Sequence, residues 1–375
     1  MLKQEKAAST LYRQASSEGK IMSKYWSQII RELKPYVPGE QPKENLFIKL
    51  NTNENPYPPS PRVIDAISRE TDASLRRYPD PNCEALKRAI AEYYSVNTEN
   101  VFVGNGSDEV LALSFISFFK QEQPILFPDI SYSFYEVYCS LFEIQHIQVP
   151  LTTDMDISLA DYARSNGGII FPNPNAPTGK LLSLDQIENL LGLNDKSVVV
   201  VDEAYIDFGG ESAIQLIGKH ANLLVAQTFS KSRSLAGLRV GAALGSRELI
   251  EGLERAKNSF NSYPLDRLAI AGAVEAIRDE AYFQSTCEKV METRERTVVA
   301  LSKMGFSVVP SKANFIFVKP SGIQARELYT RLKDEKILVR YFDKPRIDEY
   351  LRVTIGTDAD MQIFIEKTAR IVAEI

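Results

Sequence analysis

Apolar residues follow two rhythms along this chain. Between about Gly104 and Leu244, runs that are apolar on successive positions alternate with stretches apolar at helical spacing. VFVG (101–104), PILF (124–127), GIIF (168–171), SVVVVD (197–202), LLVAQTF (223–229) and VGAALG (240–245) predict strands. An uninterrupted apolar run marks a strand covered on both faces, as in a mainly parallel sheet between helix layers. Helices are predicted between them, at 107–119 and 184–192 among others.

The texture then changes. Residues 265–304 read as long helix, and FSVVP, NFIFVKP, a helix near 324–335, ILVRYF, YLRVTIG and a last helix from about 359 to 375 follow. This is the pattern of a smaller α+β unit. Near the other end, MSKYWSQIIRELKPY from Met22 predicts the start of an amphipathic helix that packs with that unit. The expected class is therefore α/β, a mainly parallel sheet flanked by helices plus a smaller α+β domain built from both chain ends. The expected divisions are a flexible extension at 1–21, a small domain of 22–50 with 275–375, and a large domain at 51–274.

Composition narrows the chemistry. The 375 residues suit about two domains, with 44% hydrophobic and 25% charged positions. A net charge of −5 argues against a nucleic-acid partner. Cys83, Cys139 and Cys287 are far apart and include no CxxC pair, which argues against a disulfide scaffold or a cysteine zinc site and fits a reducing, cytoplasmic setting. With only His146 and His220, neither a histidine triad nor a multi-histidine metal site is expected. No apolar run is long enough for a bilayer and residues 1–21 lack an apolar signal core, so neither a membrane nor a secretory role is expected.

Ligands in open α/β sheets bind at the carboxyl ends of strands, and five motifs stand there. GNGSDE (104–109) offers an anion cradle of Gly106, Ser107 and Asp108 at a helix start, or a plain helix cap. In FPDISYSFYEVY (127–138), Tyr132 can stack on a planar group, while most of its aromatic neighbours are core. NPNAPTG (173–179) is a stiff turn able to fix an amide, or an ordinary turn. Asp202 ends the run VVVVD, where a buried carboxylate wants a cation such as a pyridinium nitrogen, with Tyr205 three residues on; the alternative is a helix cap. Lys231 follows a buried strand amid Ser230, Ser232 and Arg239. Partial burial and nearby cations favour a neutral, nucleophilic amine, while the alternative is a solvated basic loop.

NPNAPTG, then DEAY, then SK with GLR further on, in this order, resembles the fold-type I pyridoxal-phosphate-dependent aminotransferases. LKPY (33–36), KLNTNENPY (49–57), RYPD (77–80), GNGSDE, DEAYIDF, SLAGLR and LRVTIGT (351–357) are most similar to the histidinol-phosphate aminotransferases, over nearly the whole chain from Met22. The resemblance implies that Lys231 carries pyridoxal 5′-phosphate and later moves a proton, that Asp202 pairs with the ring nitrogen, that Tyr205 bonds the ring oxygen and that Tyr132 stacks on the ring. Gly106, Ser107, Asp108, Ser230 and Arg239 would surround the phosphate. Tyr78 would reach the phosphate of a neighbouring subunit, which implies a homodimer with shared sites. Arg352 would grip the substrate anion, with Arg340, Tyr36 and Asn55 as further substrate residues, and Asn53 and Asn55 would sit in the arm that lines the substrate entrance.

The sequence departs from that family at two places. Ala176 stands where members carry the asparagine that contacts the ring oxygen, so Asn175, or else Asn173, is assigned that amide. Pro58 stands where glycine is more usual. The implied reaction is transamination of histidinol phosphate with 2-oxoglutarate. The competing readings are an aromatic-amino-acid aminotransferase, a phosphothreonine decarboxylase and, more remotely, a non-catalytic ligand-sensing regulator.

Overall fold

The computed structural model describes residues 23–42 and 47–374, so the extension expected at 1–21 lies outside the described residues. Contacts divide the chain into two units, Met1–Tyr36 and Val37–Ile375. The first contains the helix Gln28–Glu32, shorter than the run from Met22 predicts. It ends just ahead of Lys34, whose place before Pro35 disfavours helical backbone.

The described strands of the second unit run β1 (Ile48–Lys49), β2 (Val101–Asn105), β3 (Ile125–Pro128), β4 (His146–Val149), β5 (Ile169–Pro172), β6 (Val199–Asp202), β7 (Leu223–Thr228) and β8 (Val240–Gly245). The shorter β9 (Ser307–Val309), β10 (Phe315–Lys319), β11 (Ile337–Leu338), β12 (Arg340–Tyr341) and β13 (Leu351–Thr354) follow. A seven-stranded sheet has the order β2-β8-β7-β6-β5-β3-β4. The pairings from β4 through β7 are parallel, and β8 is antiparallel to both of its neighbours. The expected mainly parallel sheet is present.

The uninterrupted apolar runs have a direct structural cause. Val199, Val201 and Val225 enter one core, whereas Val200, Leu224 and Ala226 enter another. Successive side chains of one strand point to opposite faces, so a sheet with two covered faces needs both sets apolar. The edge strand β4 lacks this signal because His146 and Ile147 are exposed. Its existence is not announced by the pattern.

A four-stranded antiparallel sheet, β12-β13-β10-β9, follows the large one in the chain, and β1 pairs in parallel with β11. Leu50, Ile316, Val318, Leu351, Val353 and Phe364 share its core. The helix expected over 265–304 is two helices, Arg267–Arg278 and Glu280–Lys303, broken at Asp279. No glycine or proline marks that break. The stretch 107–119 forms the helix Gly106–Ser114 and then a wider π-type turn, Phe115–Phe119. No described helix is long and apolar enough to cross a membrane.

Candidate active site

Two adjacent parallel strands bring the central pair together. β6 ends on Asp202, and β7 ends at Thr228, three residues before Lys231. Asp202 is buried, and burial pushes its carboxyl up to about 6 against the hydrogen bonds it accepts. The Tyr135 hydroxyl donates to its Oδ2 at 2.9 Å and the Ala204 N–H to its Oδ1 at 3.2 Å. Among the described residues no cation pairs with it. A buried carboxylate in such surroundings is suited to a cationic N–H donor.

Lys231 lies in the complementary state. Burial, followed by the nearby Arg352 charge, lowers its amine to about 8. Its Nζ donates to the Thr52 carbonyl at 3.1 Å and lies 5.9 Å from the centre of the Tyr205 ring. The backbone of this turn is held from outside, since Asn55 Nδ2 donates to the carbonyls of Lys231 and Ser232 at 3.1 Å each. An amine at about 8 is partly neutral near pH 7 and is therefore a competent nucleophile.

The predicted anion cradle is assembled where β2 meets the helix Gly106–Ser114. Arg239 donates to Asp108 Oδ2 at 2.8 Å and reaches Ser230 Oγ at 3.5 Å. Tyr132 donates to Asp108 Oδ1 at 3.0 Å, and Tyr138 to the Asp108 carbonyl at 2.8 Å. Gly106 has φ +76°, and a Cβ there would lie 2.6 Å from the Arg239 guanidinium. A Cβ on Gly241 would lie 2.5 Å from the Ser107 nitrogen. Both glycines are thus required by close approach. The donor set of a guanidinium, a hydroxyl and helix-start amides suits a phosphate.

The loop 173–179 holds both of its asparagine amides in place. Asn175 is buried, and its Nδ2 donates to the Ile130 carbonyl and to Thr178 Oγ1, each at 3.0 Å. Both of its N–H donors are engaged within the protein, and its Oδ1 has no hydrogen-bond partner among the described residues. Asn173 is also engaged, donating to the Leu182 carbonyl at 3.1 Å and accepting from the Leu182 N–H at 2.8 Å. Ala176 packs with Tyr205, Ala313 and Phe315.

Arg352 donates to the Asn51 carbonyl at 3.0 Å, with its guanidinium 5.4 Å from the Phe315 ring centre and 5.6 Å from that of Phe342. Arg340 is its register partner across β12 and β13 and lies 5.5 Å from the Phe342 ring centre. Asp343 pairs with Arg326 and Glu349 with Lys319. Tyr36 belongs to the first unit. Tyr78 is 79% exposed and stacks on Tyr263 with ring centres 4.7 Å apart.

Two further residues, Tyr135 and Asn53, touch this group, the second expected only in the arm that lines the substrate entrance. Tyr135 looks like core by position, yet its hydroxyl reaches Asp202. Asn53 is 1% exposed and donates through Nδ2 to the Tyr205 hydroxyl at 3.1 Å. Neither contact has a local signature, because the partners are 67 and 152 positions apart.

The sheet and this site are those of an aminotransferase of class I and II, a family that matches residues 46–367. Histidinol-phosphate aminotransferase 1 of Hydrogenovibrio crunogenus is 62% identical over 339 residues, covering 90% of this chain and 95% of the relative. The corresponding protein of Methylococcus capsulatus is 58% identical, covering 94% and 99%. The chain belongs to this family of histidinol-phosphate aminotransferases. The fold is shared with the crystal structure of the Sinorhizobium meliloti histidinol-phosphate aminotransferase in complex with pyridoxal 5′-phosphate, at TM-score 0.84, 22% identity and 94% and 99% coverage.

Proposed function

We propose that this protein uses pyridoxal 5′-phosphate to transfer the amino group of histidinol phosphate to 2-oxoglutarate, giving imidazole-acetol phosphate and glutamate. The observation that carries the reading is that a buried, partly neutral Lys231 amine and a buried, cation-free Asp202 carboxylate follow and end two neighbouring parallel strands. Relatives 62% and 58% identical that bear the histidinol-phosphate name support the substrate.

The residues fit the cofactor. Gly106, Ser107, Asp108, Ser230 and Arg239 hold its phosphate, and Tyr132 covers its ring. Asp202 keeps a proton on the ring nitrogen and Tyr205 donates to the ring oxygen. When bound, the cofactor supplies an aldehyde that joins the amine and a ring that accepts the electron pair left at Cα. Lys231 carries it covalently. The neutral Nζ of Lys231, once free, would take the proton from the substrate Cα and deliver it to the cofactor's former aldehyde carbon. Arg352, with Arg340, holds the phosphate of one substrate and the carboxylate of the other, since a planar guanidinium donates in two prongs to either. Asn55 completes the substrate set in this reading.

A homodimer with shared sites belongs to the same proposal. Tyr78 and Phe260, 79% and 81% exposed, are large apolar groups of the kind that a second copy covers. Mixing a Lys231→Ala subunit with a Tyr78→Phe subunit is expected to restore one intact site per dimer.

Purified protein loaded with the cofactor is expected to form glutamate from histidinol phosphate and 2-oxoglutarate. Absence of glutamate sinks the substrate assignment. Lys231→Ala is expected to abolish covalent attachment, and cofactor that stays covalently bound in that variant overturns the placement of the lysine.

A further inference from the structure

Tyr205 needs a fixed hydroxyl direction if it is to donate to a ligand, and the nearest loop does not supply it. Asn175 uses both of its N–H donors on Ile130 and Thr178, and Asn173 donates to and accepts from Leu182. Ala176, the loop residue packed on Tyr205, offers only a methyl group.

We propose that Asn53 is a positioning residue that aims the Tyr205 hydroxyl proton at the cofactor's ring oxygen. Resting on the reading above, it deepens that reading by naming the group that orients one of its donors. A phenol hydroxyl carries one proton and accepts through its oxygen. Asn53 Nδ2 donates to that oxygen at 3.1 Å, so the tyrosine's own proton points away from Asn53.

The asparagine is itself over-determined. Thr354 Oγ1 donates to its Oδ1 at 2.9 Å, which fixes which end of the amide faces Tyr205. Its backbone N–H donates to Thr354 Oγ1 at 3.0 Å, and its carbonyl accepts from Asn314 Nδ2 at 3.0 Å. Its φ is +56°, a left-handed conformation that asparagine tolerates better than most residues. Thr354 ends β13, so this chain of contacts ties the C-terminal sheet to the Tyr205 hydroxyl. The Asn53 hydrogen bond also works against the upward push that burial gives the Tyr205 phenol, which makes it a stronger donor.

The test uses holoenzyme and the visible absorbance of the bound cofactor, titrated with pH. A donor to the ring oxygen draws off negative charge and weakens its hold on the proton at the adjoining Lys231 nitrogen. Asn53→Gly, which adopts positive φ without strain, and Asn53→Ala are each expected to raise the pKa of that titration by about one unit, tenfold in proton affinity. In a Tyr205→Phe background neither substitution is expected to shift it further. If the wild type shows no titrating cofactor absorbance, the reading of the site fails and takes this proposal with it. If the wild type titrates and the Asn53 variants match it, or shift it equally with and without the Tyr205 hydroxyl, Asn53 is only structural and the proposal alone is overturned.

Discussion

The hydroxyl of Tyr135 donates to Asp202 Oδ2 at 2.9 Å inside the core. It opposes the effect of burial, which raises the carboxyl to about 6. Tyr135→Phe removes the donor and keeps the ring, so the packing survives. Losing a hydrogen bond to a charged group costs about 1.5–3 kcal/mol. Cofactor affinity of the apoprotein is expected to fall by roughly tenfold or more on that scale, measured by fluorescence titration with pyridoxal 5′-phosphate. Unchanged affinity refutes a role for this contact in holding Asp202 ready.

Lys231 provides a pH test on the apoprotein. Its amine lies at about 8 in the fold, against an ordinary 10.5 in the unfolded chain. Between these values the unfolded chain binds the proton and the native one does not, so stability rises with pH across roughly 8 to 10.5. Below about 8 both states are protonated and the penalty of the buried charge is constant. Lys231→Met is therefore expected to stabilise the apoprotein at pH 7 by about 1–3 kcal/mol, an advantage that shrinks as pH rises toward 10.5. Denaturant melts at pH 7 and pH 10 measure it, and a gap that does not narrow contradicts a perturbed lysine.

What was legible in the sequence follows from what local pattern can encode. The six large-sheet strands read as apolar runs because residues such as Val200 and Val201 must both be apolar in a sheet with two covered faces. Lys231 and Asp202 were legible because strand ends and their neighbours are contiguous in the chain. The edge strand His146–Val149 was not, since half of it meets solvent. Nor was the break at Asp279, which no turn residue marks. The hold of Ile130 on Asn175 and the reach of Asn53 to Tyr205 depend on tertiary contact, where neighbours in space are far apart in sequence.

Gly106 is the sharpest steric test of the cradle. It sits at φ +76°, and an added Cβ would press within 2.6 Å of the Arg239 guanidinium. Gly106→Ala is expected to displace Arg239 from Asp108 and to lower stability by about 1–2 kcal/mol through backbone strain. Inorganic phosphate protects the wild-type apoprotein against heat in this reading of the cradle, and the variant is expected to lose most of that protection. Equal protection of both proteins removes Arg239 from the phosphate site.

Glu203, which follows Asp202 in the chain, is buried and carries no partner cation among the described residues. Burial pushes its carboxyl up to about 7, against hydrogen bonds from Ser212, Ala213 and Gln227. Its folded pKa is raised, which is the reverse of the usual carboxylate. Between about 4.5 and 7 the native chain holds a proton that the unfolded chain has lost, so this group's stability contribution falls as pH rises through that window and is flat above it. Asp202 is shifted in the same direction, so the bulk pH profile cannot separate the two. The difference between wild type and Glu203→Gln does, because Gln keeps an acceptor for the Ala213 N–H and does not titrate. Relative to wild type, Glu203→Gln is expected to gain about 1–3 kcal/mol between pH 5 and pH 8. Denaturant melts of the two apoproteins at both pH values give the number, and a difference independent of pH means that Glu203 ionises normally in the fold.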